Sequence, residues 1–266
     1  MTTPRVLAIA GSDSGGGAGI QADLKAFARC GAHGMTAISA ITVQNTLEVR
    51  SVHPVAPQTI YDQVEVVVQD IGIDAVKIGM LGTVEVVETV ARALDLVDEV
   101  PIVLDPVMVA ESGAVLLPAD AVDALRSLLV PRARVVTPNL AEARVLASAP
   151  EDHDGSQLAR TVHSLGPGAV VVTGGHAERA VDCFFDGEQA AELAGMRHPD
   201  GATHGSGCTH SSALAAHLAQ GSTPLEAARR AKDIAAEAVR NGLSDIGGGA
   251  GPVDVLDLGA RVPAQP

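Results

Sequence analysis

Short apolar runs rich in β-branched residues alternate along the chain with longer segments whose apolar positions recur every three to four residues. The first pattern is typical of buried strands and the second of amphipathic helices. The predicted strands are Val6–Ala10, Ala37–Val43, Ala75–Ile78, Ile102–Leu104, Arg134–Val136 and Ala169–Thr173. The predicted helices between them are Ile20–Arg29, Gln58–Gln69, Val84–Leu96, Ala119–Leu129, Leu140–Leu146 and Ser156–Leu165.

Strands that are apolar throughout and separated by amphipathic helices indicate a mostly parallel sheet covered by helices on both faces. Near the end of the chain, Arg179–Phe185 and Gln189–Leu193 predict an antiparallel hairpin, and two more helices are expected from about Gly207 and Leu225. No linker, low-complexity tract or repeat divides the chain. We therefore expect one α/β domain over residues 1–266.

Charge and composition narrow the classes of partner. The chain has 18 Lys and Arg against 32 Asp and Glu, a net charge of −14, and only four aromatic residues of the Phe and Tyr type. This excess of acid disfavours a nucleic-acid partner, and the three cysteines form no paired motif. The beginning of the chain lacks a signal-like pattern, and no apolar run approaches the ~18 residues of a membrane span. We expect no membrane partner and a cytoplasmic location.

Ligands of parallel α/β sheets bind at the carboxyl ends of the strands, so the residues that follow each predicted strand are the candidate site. All of these segments are small or polar. They are Gly11–Gly19, Gln44–Thr46, Gly79–Met80, Asp105–Met108, Thr137–Asn139 and Gly174–His176.

A further candidate is the run Gly205-Ser206-Gly207-Cys208, which leads into an apolar helix. Small residues let backbone N–H groups converge on an anion, and the positive end of the helix dipole adds to the attraction. The pattern predicts a phosphate cradle beside a thiol of lowered pKa. The alternative is a glycine-rich turn with a buried, unreactive cysteine.

The first glycine-rich loop matches neither nucleotide fingerprint. Position 20 is Ile20 where the dinucleotide motif needs glycine, and no Lys-Ser/Thr pair follows the loop.

Two carboxylates allow two interpretations each. Asn139 and Glu142 have the spacing of a capping box, and Glu142 could instead be an outer ligand of hydrated Mg²⁺. Asp105 is either a turn residue or a partner for magnesium or a hydroxyl group.

The loops taken together resemble the hydroxymethylpyrimidine/phosphomethylpyrimidine kinases of thiamine biosynthesis. The matching segments keep their order and span nearly the whole chain. They are Ala10–Asp13, Gly15–Asp23, Gln44–Thr46, Lys77–Leu81, Leu104–Met108, Thr137–Glu142 and Thr203–Thr209.

The resemblance implies a ribokinase-like three-layer fold, a homodimer, and ATP as co-substrate with Mg²⁺. It implies phosphorylation of 4-amino-5-hydroxymethyl-2-methylpyrimidine and then of its monophosphate. On this reading Gln44 hydrogen-bonds the aminopyrimidine, and Gly11, Asp23, Met80 and Val107 shape its pocket.

For the transfer itself, the resemblance makes Cys208 the counterpart of an aspartate base and makes Gly205, Ser206 and Gly207 the rest of the anion hole. It places Asp105 and Glu142 on Mg²⁺ and the phosphates, with Asn139, Thr173 and Thr203 on the ATP side. Thr173 departs from the pattern, because many members carry lysine there.

Three other functions remain open at this point. A pyridoxal or pyridoxine kinase would share the fold, and Cys208 could then add to the aldehyde, although Gln44 favours an aminopyrimidine. A nucleotide-binding regulator would keep the fold without needing the thiol. A cysteine hydrolase is disfavoured because no motif supplies its other catalytic residues.

Overall fold

One nine-stranded sheet runs through the structure, a computed structural model that describes residues 2–97, 99–174, 180–198 and 201–261. The strands in chain order are β1 (Arg5–Ser12), β2 (His33–Gln44), β3 (Val49–Pro54), β4 (Ala75–Ile78), β5 (Ile102–Leu104), β6 (Val135–Val136), β7 (Val170–Val172), β8 (Val181–Phe185) and β9 (Ala190–Ala194). Their order across the sheet is β3-β2-β1-β4-β5-β6-β7-β8-β9.

Six central strands, β2, β1 and β4 to β7, pair in parallel, which confirms the predicted sheet. The predicted hairpin is β8 paired antiparallel with β9, and the start of its first predicted strand, Arg179, lies outside the described residues. The antiparallel edge strand β3 was not predicted. It has no buried residue and ends in Pro54, so it lacks the apolar run that marks the inner strands.

Helices cover both faces of this sheet. They are α1 (Gly19–Arg29), α2 (Pro57–Asp70), α3 (Val84–Ala93), α4 (Ala119–Leu128), α5 (Leu140–Ala147), α6 (Gly155–His163), α7 (Ser206–Ala219), α8 (Pro224–Arg240) and α9 (Leu258–Arg261). Helices α2 to α6 bury one face, with Ile60, Val87 and Leu125 in that core. Helices α1, α7 and α8 bury the other, with Phe27 and Leu214. This confirms the three-layer arrangement.

The predicted helix Val84–Leu96 is shorter in the structure. Helix α3 ends at Ala93, and a single 3₁₀ turn, Leu94–Leu96, follows it. No helix among the described residues is long and apolar enough to cross a bilayer.

Helix α7 determines where the site lies. Its small residues, including Ala213 and Ala215, are fully buried and let the helix pack closely on β1, β4 and β5. The amino end of α7 thereby meets the loops that leave the carboxyl ends of these central strands.

Candidate active site

A cleft of about 390 Å³ lies at the carboxyl edge of the sheet, between the loops after the central strands and the start of α7. It brings together every site residue named from the sequence except Asp23. Those residues are Gly11, Gln44, Met80, Asp105, Val107, Asn139, Glu142, Thr173, Thr203, Gly205, Ser206, Gly207 and Cys208.

The start of α7 has the open geometry of an anion site. Gly205 has φ of +86°, which favours glycine, and among the described residues no side chain caps the helix that begins at the next residue. The Ser206 N–H donates to the Thr203 carbonyl at 3.0 Å. Other N–H groups of a first helical turn have no partner within the helix, so they can bind an anion in the cleft.

The prediction of a lowered pKa for Cys208 is wrong for the free protein. Burial raises the pKa of this thiol to about 12, with Lys77 opposing that shift and the carboxylates of Asp23 and Asp105 adding to it. A backbone N–H, that of Gly19, also favours the thiolate, but desolvation is the larger effect. The thiol is therefore protonated at neutral pH.

Lys77 supplies a positive charge that sequence reasoning did not assign to the site. It lies on β4 with no exposed side-chain surface, and its Nζ donates to Asp23 Oδ1 at 2.8 Å. Burial alone would lower the pKa of Lys77, but Asp23, Cys208 and Asp105 more than offset this and raise it. The ammonium stays charged beside Cys208 and Asp105.

Asp23 lies beneath the cleft instead of lining it. Its side chain is fully buried in α1, and its Oδ1 also accepts a hydrogen bond from Ser212 at 2.7 Å. Because the side chain has no exposed surface and does not line the cleft, the structure does not place Asp23 in the pocket that it was expected to shape. Its observed role is to hold Lys77.

The capping-box interpretation of Glu142 is confirmed. Its Oε2 accepts from the Asn139 N–H at 2.9 Å, and Oε1 accepts from Met108 N–H at 3.3 Å across the loop after β5. Glu142 thus ties the start of α5 to that loop. Burial and then the neighbouring charge of Asp105 raise the pKa of Glu142 to about 8.

The magnesium interpretation fits the same two carboxylates. Asp105 is buried, and its Oδ2 accepts from Ser211 at 2.9 Å; burial is the main cause that raises its pKa. The described residues contain no group of three or more His, Cys, Asp or Glu that could hold a metal. Mg²⁺ is commonly held by one or two carboxylates together with substrate phosphates, so a pair such as Asp105 and Glu142 suits it.

Gln44 and Met80 shape the end of the cleft near β2. The Gln44 backbone is fixed by Ser14, whose Oγ donates to the Gln44 carbonyl at 2.6 Å. Within the described parts of the chain, the Gln44 side-chain amide forms no hydrogen bond, so its donor and acceptor are free for a ligand. Gly11 leaves room here, since a Cβ would lie 2.6 Å from Met80 Cε.

The opposite end of the cleft contains a buried polar cluster that the sequence did not reveal. Lys232 Nζ donates to Asp182 Oδ1 at 2.6 Å, and His210 Nε2 lies 3.7 Å from Asp182 Oδ2. Thr173 adjoins this cluster, because the N–H of the next residue, Gly174, donates to Asp182 Oδ1 at 3.0 Å. A lysine on the apolar face of α8 is the only sequence signal that could have indicated the cluster.

Thr203 lies where the loop after β5 meets the segment before α7, and its Oγ1 donates to Glu111 at 2.7 Å. The candidate His176 lies outside the described residues.

Known proteins are similar to this chain in sequence and in fold. A sequence model of the phosphomethylpyrimidine kinase family matches residues 13–254. A hydroxymethylpyrimidine/phosphomethylpyrimidine kinase of Mycobacterium tuberculosis is 44% identical over 264 residues, which cover 96% of this chain and 95% of that protein.

Two solved structures are similar along most of their length. An ADP complex of Bacillus subtilis pyridoxal kinase has a TM-score of 0.87 at 38% identity and covers 97% of this chain and 99% of its own. A phosphomethylpyrimidine kinase of Clostridium difficile has a TM-score of 0.79 at 37% identity, with coverages of 89% and 100%. These similarities confirm the ribokinase-like fold, and the chain belongs to the phosphomethylpyrimidine kinase family.

Proposed function

We propose that the chain transfers the γ-phosphoryl group of ATP to the hydroxymethyl group of 4-amino-5-hydroxymethyl-2-methylpyrimidine, and then to the resulting monophosphate. The observation that carries this proposal is the side-chain amide of Gln44, which forms no hydrogen bond with the residues that the structure describes and lines the same cleft as the start of α7. The first feature suits an aminopyrimidine and the second suits a phosphoryl group. The matching family and relatives have names that agree with this assignment.

Recognition of the pyrimidine follows from the chemistry of an amide. The side chain of Gln44 can accept from the exocyclic amino group and donate to a ring nitrogen. Gly11, Met80 and Val107 form the apolar walls around the ring. An acceptor held in this way presents its hydroxymethyl group to the start of α7.

Phosphoryl transfer has a loose transition state, so positioning and charge stabilisation dominate catalysis. Residues Gly205 to Cys208 supply N–H groups to the transferred phosphoryl group, and Lys77 places a fixed positive charge next to them. Asn139, Thr173 and Thr203 contact the phosphates of ATP. Mg²⁺ would be held by Asp105 and Glu142 and would neutralise charge on the phosphate oxygens.

Cys208 can accept the hydroxyl proton only as a thiolate. Lys77 and the start of α7 favour that form, while burial opposes it. We infer that Cys208 acts as a base only in molecules whose thiol has already lost its proton to solvent, and that the hydroxyl proton then moves to this thiolate late in transfer, when the attacking oxygen has become acidic. The second acceptor is already an anion and needs less assistance.

A direct assay tests the assignment. Purified protein with ATP and Mg²⁺ is offered the hydroxymethylpyrimidine, its monophosphate or pyridoxal, and ADP and each phosphorylated product are quantified. We expect both pyrimidines to be converted with a higher kcat/KM than pyridoxal. A preference for pyridoxal would instead support a pyridoxal kinase, which the similarity to the Bacillus subtilis structure makes the second candidate.

We also propose a homodimer that forms through the edge of the sheet at β2 and β3. Large apolar side chains are exposed there, with Ile41, Val43 and Leu47 at 53%, 44% and 63%. Sedimentation equilibrium should show a dimer for the parent chain and a monomer for Ile41→Lys, and a monomeric parent would contradict the proposal.

The three free cysteines suit the reducing cytoplasm, which we propose as the location.

A further inference from the structure

Asp13 organises the glycine-rich loop that follows β1. The side chain is 3% exposed, and its Oδ1 accepts from the Gly15 N–H at 2.7 Å. Its Oδ2 accepts from the N–H groups of Gly17 at 3.0 Å and Ala18 at 2.8 Å. Both carboxylate oxygens are therefore engaged within the protein, and Asp13 fixes the loop instead of presenting a charge to a ligand.

One more contact joins this loop to the anion site. The ring of His204 is buried, and its Nε2 lies 3.0 Å from Asp13 Oδ2 although 191 residues separate the two in sequence. His204 directly precedes Gly205, the residue that turns the chain into α7. The Asp13–His204 contact thus connects the loop after β1 to the first turn of that helix.

The backbone of His204 is held independently of Asp13. Its N–H donates to the Gly251 carbonyl at 3.2 Å, and its carbonyl accepts from the Val253 N–H at 3.1 Å. The segment before α7 therefore has a fixed support in residues 251–253. The Asp13–His204 contact then joins the loop after β1 to this supported segment.

Two glycines show how closely these segments fit. A Cβ on Gly17 would overlap the His204 ring, and a Cβ on Gly205 would overlap the Gly17 carbonyl. A shift of either segment would break this packing and move the N–H groups that face the cleft.

We propose that Asp13 and His204 are a positioning pair, which holds the loop beside the acceptor in register with the anion-binding start of α7. The proposal rests on the proposed function, because it assigns the acceptor to one of these segments and the transferred phosphoryl group to the other. Neither side chain acts on the reacting atoms. The pair acts through the geometry of the two backbone segments.

The test compares His204→Ala and His204→Gln with the parent chain, and uses His217→Ala as the control. His217 lies near the end of α7 and outside the cleft, where it contacts Gln220. Since small misplacements of reacting groups cost about 100-fold in rate, we expect His204→Ala to lower kcat by about that factor. The KM for ATP and the KM for the pyrimidine should each change less than about threefold, because most contacts made in the ground state remain.

Glutamine can donate to Asp13 from its side-chain amide, so His204→Gln should recover most of the lost kcat. The control variant should keep the parent kcat. An unchanged kcat in His204→Ala, or a glutamine variant no better than alanine, would overturn the proposal. If His204→Ala does not fold, Gly17→Ala provides the second test, since its added Cβ pushes the ring away while both partners remain.

The parent chain is assayed first, so the two proposals can fail separately. A parent that phosphorylates the pyrimidine, combined with a fully active His204→Ala, overturns the pair and leaves the function standing. A parent that accepts only pyridoxal overturns the pyrimidine function. The same variants are then measured with pyridoxal, and a selective loss of kcat still supports the pair.

Discussion

Replacing Lys77 by methionine should destabilise the protein and disable the site by two separable effects. The ammonium is fully buried and lies 2.8 Å from Asp23 Oδ1. Asp105 and Cys208 are close enough for their charges to raise the pKa of Lys77. Methionine fills similar space without a charge. The substitution would leave the Asp23 carboxylate buried, with Ser212 as its remaining partner among the described residues.

Breaking a buried ion pair by removing one partner costs about 3–5 kcal/mol. For a domain of this size, such a loss corresponds to a fall in Tm of roughly 6–20 °C. Replacing both partners, as in Lys77→Met with Asp23→Leu, removes the uncompensated charge. The double variant should regain most of the lost stability, short of about 1 kcal/mol for the hydrogen bond from Ser212.

Activity should not follow stability in this series. The double variant still lacks the positive charge beside Cys208 and Asp105, so its kcat should stay on the order of 10²-fold below the parent. Urea denaturation gives the free energy of unfolding, and ADP release gives kcat. Arg50→Met is the control, because Arg50 pairs with Glu48 on the surface and should contribute only about 0–1 kcal/mol.

Two results would refute this reasoning. One is a loss below about 1 kcal/mol in Lys77→Met, which would show that the buried pair is not held as the structure has it. The other is a double variant that is as unstable as the single variant.

Three further predictions concern other parts of the cleft. Gln44→Ala should weaken binding of the pyrimidine by about 1–3 kcal/mol and leave ATP binding nearly unchanged. Calorimetry with each ligand separately measures both affinities, and an equal loss for the two ligands would contradict the prediction. Because burial raises the pKa of the Cys208 thiol, its alkylation at pH 8 should be slower than that of free cysteine; mass spectrometry that finds Cys208 labelled faster than free cysteine would contradict this. Burial would raise the pKa of Asp13, but the hydrogen bonds from His204 and from the N–H groups of Ala18 and Gly15 together lower it. The stability that the ionised carboxylate contributes is therefore fully present above the ordinary pKa and is lost as the pH falls through the lowered pKa. The difference in unfolding free energy between the parent and Asp13→Asn should thus be complete at neutral pH and shrink below about pH 4, and a difference that is constant with pH would argue against the shift.

The parts of the fold that depend on local pattern could be predicted from the sequence. The inner strands are apolar throughout, and helices such as α3 present one apolar face, so both periods are visible in the chain itself. The capping box of Asn139 and Glu142 also depends only on a spacing of three residues. The edge strand β3 escaped prediction because pairing with β2, and not its own apolar content, keeps it in place.

The sequence by itself determined the layered α/β architecture, the loops that form the cleft and the family to which the chain belongs, because these follow from short-range periodicity and from motifs in a fixed order. Only the tertiary structure decided which charged groups meet. Lys77 joins Asp23 across 54 residues, and His204 reaches Asp13 across 191. It also decided the protonation of Cys208, since a pKa depends on how far the fold removes a thiol from water and on the charges placed around it. Neither burial nor long-range pairing is encoded in the spacing of neighbouring residues, which is why the motif indicated the thiol but gave the wrong direction for its pKa.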